Sequence, residues 1–266
     1  MSTSGKLDGK IFVVTGGLGI LGLAVVDKLL EAGALVCSLD ILGPVGLVSK
    51  NEGSDNLYHF VCDVSVKHEV DMTLKLIEDT IGPISGLHNN AATKTADLER
   101  FFDSVEDYEE NTWKEIMQTN LWGMFLMARG VGALMASRKN GSIVQTASIY
   151  GATMGPDQRI YEGSEYLGRQ ISSPVSYTAS KAGVHGLTNH LATYWGFSGV
   201  RVNTVTPGGI RSGQNRVFES KYSARVPLGR MAEASEVASA VTFLLSEDSS
   251  YITGHNLFVD GGLHAW

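Results

Sequence analysis

With 266 residues, 43% of them hydrophobic and 18% charged, the chain can bury a full core, and it carries neither low-complexity tracts nor an internal repeat. A formal net charge of -7 without a Lys/Arg cluster excludes the concentrated positive charge that phosphate-backbone binding needs, leaving small molecules as partners and no nucleic acid. Residues 1–10 are polar rather than a secretory signal and no later run is apolar enough to span a bilayer, which predicts a cytoplasmic protein without membrane attachment.

Short, nearly continuous apolar and β-branched runs, the mark of strands buried on both faces, alternate with longer segments of helical period. A strand at 11–15 leads to a helix at 21–32; strands at 35–39 and 60–64 precede a helix at 66–81; a strand at 86–89 precedes a helix at 112–136. A strand at 143–147, a helix at 177–195, a strand at 200–205, a helix at 234–245 and a strand at 257–259 complete the series. The alternation predicts an α/β fold: a Rossmann-type, doubly wound parallel sheet of about seven strands, with helices on both faces and right-handed crossovers. No Pro/Ser-rich linker divides the chain, so residues 1–266 read as one domain, with the Gly-, Pro- and charge-rich stretch 151–174 as a long loop inserted into it. Cys37 and Cys62 fall in buried strands, where a reduced core thiol is the default. The seven histidines show no ligand spacing, so no metal site is expected.

The first strand runs directly into Thr15-Gly16-Gly17-Leu18-Gly19-Ile20-Leu21-Gly22 and then into an amphipathic helix, satisfying GxGxxG at Gly17, Gly19 and Gly22 in a strand-turn-helix context. Glycines here let the backbone approach a pyrophosphate, whose charge the helix N-terminus stabilises. A Gly-rich turn without ligand is the plain alternative. Asp40 closes the second strand, where an acidic side chain binds the adenosine ribose hydroxyls and repels a 2'-phosphate. Neither Ile41, Leu42 and Gly43 nor the glycine turn supplies an Arg or Lys to neutralise such a phosphate, which favours NAD over NADP.

Tyr177 and Lys181 are four apart at the start of a helix, so both side chains project from one face. A free tyrosine titrates at ~10, and a neighbouring ammonium favours the phenolate, so the pair makes chemical sense as a general acid/base. YxxxK alone is a weak signal, and its context must carry the weight.

That context resembles the classical short-chain dehydrogenase/reductase family over nearly the whole chain. The glycine turn, Asn89-Asn90-Ala91-Ala92, Asn120, Ser148, Tyr177-x-x-x-Lys181, Pro207-Gly208-Gly209 and Val259-Asp260-Gly261-Gly262 follow in that family's order. The resemblance implies that Ser148 hydrogen-bonds the substrate oxygen, Tyr177 exchanges its proton, Lys181 binds the nicotinamide ribose and tunes the tyrosine, and Asn120 supports a water-linked proton relay. It also implies a cofactor surface of Gly16, Gly17, Gly19, Ile20, Leu21, Gly22, Asp40, Asp63, Val64, Asn90, Ala91, Tyr177, Lys181, Pro207, Gly208, Gly209 and Ile210. Three positions depart from the pattern. Ile20 replaces the usual second glycine of the turn, Ala92 replaces the last glycine of the asparagine motif, and 151–174 pushes Ser148 and Tyr177 unusually far apart.

The resulting expectation is hydride transfer between NAD and a secondary alcohol or ketone. An epimerase or dehydratase that oxidises its substrate transiently, and a non-catalytic NAD-binding protein on the same fold, are the alternatives. The stretch 151–174 leaves just after Ser148 and returns just before Tyr177, which predicts a lid over the site. Tyr150, Arg159, Tyr161, Glu162 and Arg169, with Arg211 and Gln214 beyond the cofactor loop, suit a polar, sugar-derived substrate bearing hydroxyls or an anionic group. A solvated insertion or an oligomer contact is the plain alternative for this segment, which also resembles a subgroup associated with bacterial surface-sugar, sialic-acid-like biosynthesis. The family resemblance implies a homotetramer or homodimer, with residues 251–266 near a subunit interface.

Overall fold

The computed structural model describes residues 7–43, 49–50, 55–95, 97–166 and 168–266. Side chains are described for all of these except residues 49, 50 and Tyr166, so residues 1–6 of the polar opening stretch and Leu167 of the insertion lie outside the described residues.

The chain begins with β1 (Ile11–Thr15), α1 (Ile20–Glu31) and β2 (Leu35–Asp40), followed by a two-residue strand β3 (Ser49–Lys50) and β4 (Leu57–Val61). It continues through α2 (Lys67–Thr80), β5 (Ile84–Asn89), the single turn α3 (Leu98–Phe101), α4 (Glu110–Met117) and α5 (Met124–Arg138). Then come β6 (Gly141–Thr146), the kinked turn α6 (Ile149–Ala152), the paired short strands β7 (Glu165–Tyr166) and β8 (Arg169–Gln170), and α7 (Val175–Trp195). The remaining elements are β9 (Val200–Pro207), α8 (Arg216–Ser223), α9 (Ala234–Leu245) and β10 (Asn256–Val259).

The sheet runs β10-β9-β6-β5-β1-β2-β4-β3, with every neighbouring pair parallel except the short antiparallel β3 at one edge. Seven parallel strands flanked by helices are thus the Rossmann-type α/β sheet expected from the alternating pattern. Along β1 the side chains divide by turns. Ile11 and Val13 pack with Val70 and Ile77 of α2, Leu126 and Val131 of α5, and Trp195 of α7. Phe12 and Val14 pack with Val25 and Leu29 of α1 and Val241 and Leu244 of α9. Both faces are covered, so the strands read as continuous apolar runs. Strand order reverses at β1, between β2 and β5, which opens a crevice beyond the carboxyl ends of the strands.

Three local readings are corrected. The strand expected at 60–64 is Leu57–Val61, because its ladder with β2 runs out at Asp40 and Val61 and the Asp63 carboxylate then closes a turn by accepting from the Ser65 amide. The single helix expected at 112–136 is interrupted by a π-helical turn, Gln118–Gly123, between α4 and α5. The loop expected at 151–174 carries a 3-10 turn, Gln158–Tyr161, and the β7–β8 hairpin. Among the described residues, no helix is long and apolar enough to cross a membrane. Burial pushes the Cys37 thiol to about 12 and the Cys62 thiol to about 11, so both are protonated core groups.

Candidate active site

Every residue of the expected catalytic set lies at the carboxyl end of the sheet, Ser148 after β6, Asn120 on the π turn, and Tyr177 and Lys181 together on α7. Ser148 follows β6 and caps α6, its hydroxyl accepting from the Tyr150 amide at 3.2 Å. Gly151 then takes φ +93°, and a side chain there would lie 2.5 Å from the Thr178 carbonyl. The insertion therefore starts backbone-against-backbone on α7, opposite the turn that carries Tyr177 and Lys181.

Tyr177 hydrogen-bonds Ser148, which lowers its pKa, but burial is the larger effect and holds the phenol above its ordinary value. The Lys181 ammonium stands 6.0 Å from the centre of the Tyr177 ring and donates to the Thr146 carbonyl at 2.8 Å. Lys181 is 3% exposed, and burial brings its pKa down to about 8. Asn120 is wholly buried on the π turn, where its Oδ1 accepts from the Thr93 amide at 2.8 Å and its Nδ2 faces the Thr93 carbonyl at 3.4 Å.

The asparagine motif ties the central strands together. Asn89 Nδ2 donates to the Met124 carbonyl at 2.7 Å and to Gln145 Oε1 at 2.8 Å, while Thr15 Oγ1 accepts from the Asn90 and Ala91 amides at 2.8 and 3.0 Å. His88, which sequence reasoning did not single out, is fully buried with Nε2 2.8 Å from Thr146 Oγ1. Burial and the Lys181 charge hold its pKa at about 3, so it is neutral. A polar residue in an otherwise apolar strand run was the available signal.

The glycine turn has the shape of a nucleotide cradle. A Cβ at Gly17 would lie 2.1 Å from Ser38 Oγ, and one at Gly22 2.0 Å from the Gly16 carbonyl, so α1 can rest on the turn only with glycine at Gly22. Gly19 caps α1, and Ile20 stands half-exposed on its first turn beside Leu21 and Gly22. Asp40 accepts from the Leu18 and Leu42 amides at 3.1 Å each, and with Leu18, Ser38, His59, Phe60 and Val61 it lines a cavity of about 130 Å³. None of the described residues lining it is Lys or Arg. Among the described residues, buried Ser38 Oγ has no hydrogen-bond partner, a polar position in the same cavity as the carboxylate. These residues fit an adenosine diphosphate moiety. Asp63 and buried Val64 follow β4, and Gly16 lies against Asn90 and Ala91. Pro207 ends β9, and Gly208, Gly209 and Ile210 continue as a loop whose amide at Gly208 donates to the Val259 carbonyl.

The substrate candidates separate into two groups. Tyr150 and Tyr161 share a hydrogen bond in a small core with Ile149, Ile160, Tyr222, Val226, Met231 and Leu263. Burial raises both phenols, and Tyr161 is close enough to Tyr177 to be raised further by it. The charged candidates are already partnered: Arg159 with Asp157 at 2.8 Å, Glu162 with Lys221 at 3.3 Å, Arg169 with Asp103 at 2.7 Å and Arg211 with Glu219 and Glu233 at 2.8 and 2.6 Å. Gln214 donates to the Ile210 carbonyl and Ser212 Oγ of its own loop. Arg169, Glu162 and Arg211 thus fasten the insertion and the cofactor loop to neighbouring segments, and Tyr161, hydrogen-bonded to Tyr150, is the candidate carried toward Tyr177.

A parallel α/β sheet with a glycine cradle at its switch point and a Ser-Tyr-Lys centre beside it defines a nucleotide-binding oxidoreductase acting on CH–OH groups. Residues 10–223 match the model of the short chain dehydrogenase family, to which the chain belongs. It is 31% identical to the 3-oxoacyl-(acyl-carrier-protein) reductase FabG of Vibrio cholerae, over 97% of this chain and 99% of that protein. It is 32% identical to a galactitol 2-dehydrogenase (L-tagatose-forming) of Cereibacter sphaeroides, over 98% of this chain and 97% of that one. Among solved structures, a short chain dehydrogenase of Leptospira borgpetersenii with bound NAD+ superposes with a TM-score of 0.85 at 31% identity, covering 97% of this chain and 94% of its own. The narrower likeness to a surface-sugar subgroup finds no support in these relatives.

Proposed function

We propose that the chain is an NAD-dependent oxidoreductase interconverting a secondary alcohol and a ketone on a polar, sugar-like substrate with several hydroxyls. The carboxylate of Asp40 carries the cofactor reading: it lines the adenosine cavity without a Lys or Arg among its described neighbours, so a 2'-phosphate would meet uncompensated negative charge. The Leptospira relative with NAD+ bound agrees with it. The tyrosine pair carries the substrate reading, since Tyr161, near Tyr177 and hydrogen-bonded to Tyr150, offers a phenolic donor and acceptor there, and a galactitol dehydrogenase is among the relatives.

Bound NAD supplies the hydride acceptor. Ser148 Oγ and Tyr177 Oη, hydrogen-bonded to each other, bracket the position of the reacting oxygen. Tyr177 removes the hydroxyl proton as the carbinol carbon is oxidised and returns it in reduction, while the Lys181 ammonium works against the burial that disfavours the phenolate. The Thr146 carbonyl holds that ammonium in place, and the hydroxyl of the same threonine pairs with neutral His88. A screen of polyols, hydroxy acids and apolar secondary alcohols with NAD and with NADP tests the proposal. Net NADH formation from a polyol is expected; equal use of NADP sinks the cofactor reading, and preference for apolar alcohols sinks the substrate reading.

The reading extends to a homo-oligomer. Helices α4, α5 and α7 and the π turn between the first two leave Trp113, Leu121, Trp122, Phe125 and Leu187 around an open groove, a surface suited to a second copy of the chain.

A further inference from the structure

The insertion and the cofactor loop are both attached to α8, by contacts on opposite sides of that helix's aromatic row. On the insertion side, Tyr161 lies against Phe218 with ring centres 5.3 Å apart, and Phe218 lies against Tyr222 at 5.8 Å. Lys221 reinforces this attachment by donating to the Glu162 and Arg159 carbonyls at 2.8 and 3.2 Å. On the cofactor side, the Tyr222 hydroxyl accepts from the Gly209 amide at 2.5 Å. A Cβ at Gly209 would lie 2.8 Å from the Tyr222 ring, so the loop rests directly on it. Tyr222 is 5% exposed.

We propose that Tyr222 is a positioning residue for the cofactor: its hydroxyl fixes the 207–210 loop, and the Phe218–Tyr161 contacts fix Tyr222, so the docked insertion helps hold the nicotinamide end of the site. This rests on the assignment of that loop to a bound dinucleotide. The bond replaces water at a buried backbone amide, and a loop without it samples other positions before the nicotinamide half can bind. The adenosine half, held at Asp40 and the glycine turn, is a separate contact region and is untouched by the loop.

That separation supplies the test. NADH and ADP are titrated calorimetrically into the wild type, Tyr222→Phe, Phe218→Leu and the double variant. Tyr222→Phe keeps the ring and removes only the acceptor, so NADH affinity should fall about 2- to 10-fold while ADP affinity stays unchanged. Phe218→Leu, which keeps apolar volume and does not touch Gly209, should weaken NADH in the same direction, and the double variant should fall short of the product of the two single effects. The proposal is overturned if NADH affinity survives Tyr222→Phe or Phe218→Leu, if ADP weakens in parallel with NADH, or if the effects multiply independently. Absence of both ADP and NADH binding in the wild type instead overturns the cofactor assignment itself. Both substitutions are apolar and near in volume; should Phe218→Leu fail to fold, the NADH-to-ADP contrast in Tyr222→Phe decides alone.

Discussion

Lys181→Met should make the ligand-free protein more stable at neutral pH while destroying its activity. The lysine is 3% exposed and its pKa falls from 10.5 to about 8 with burial as the cause. That shift corresponds to a penalty of about 3 kcal/mol for holding the ammonium inside the fold. Methionine removes the charge at similar volume but leaves the Thr146 carbonyl without its donor, which costs about 1–2 kcal/mol. The net gain is about 1–2 kcal/mol. The sign follows from a folded-state pKa below the unfolded one. Below pH 8 both states are charged and the wild type bears the whole penalty; between 8 and 10.5 the native lysine releases its proton first and the penalty disappears. Urea unfolding of both proteins, compared at pH 7 and above pH 10, should therefore show the variant ahead at the lower pH and behind at the higher. A wild type that is the more stable at both pH values would refute the reasoning.

Tyr177→Phe should lower turnover about 100- to 10,000-fold while leaving NADH affinity within a few-fold, since only the exchangeable proton is lost; retained turnover would remove Tyr177 from the acid/base role. Asp40→Ala should narrow the ratio of kcat/KM for NAD over NADP by about 10-fold, read from steady-state rates with each cofactor. An unchanged ratio would leave cofactor selectivity without its proposed cause. Replacing 152–173 with a tight turn should raise KM for the substrate and weaken NADH, since the fastening of the insertion to α8 goes with it. If folding, KM and NADH affinity all survive, the insertion is a bystander.

The parts of this fold that depend on local pattern were readable directly. Two-face burial writes a strand as an apolar run, and a helix resting on its own βα turn can be built only with glycine there, so β1, the cradle at Gly22 and the Tyr177–Lys181 spacing were all visible. What depends on distant partners was not. Nothing near Arg169 announces Asp103, and nothing near Glu162 announces Lys221, so charges that fasten the insertion read as charges awaiting a ligand. The β4 boundary moved because hydrogen-bonding capacity on β2 ended before the apolar run did. Tyr222 is illegible for a related reason: Phe218 and Tyr222 sit four apart on a short helix as an ordinary apolar stripe would, and the proposed role depends on the distant Gly209 amide and Tyr161 ring.

The π turn at Gln118–Gly123 has a consequence for anyone redesigning this scaffold. A wide turn is a length defect in an otherwise regular rod, holding one residue more than an ideal helix would place there. Deleting one residue from the segment would close the wide turn into regular winding, leaving the helix on either side in register while re-aiming the residues of the turn itself. The idealised helix could be the sturdier element, yet Asn120 could no longer meet both the amide and the carbonyl of Thr93. Sequence optimisers that reward helical regularity would select that deletion, and a catalogue of natural variants filtered for activity should lack it. In this helix the irregularity is the coordinate that aims a side chain, and it sets the tolerance of the whole α4–α5 segment to insertions and deletions.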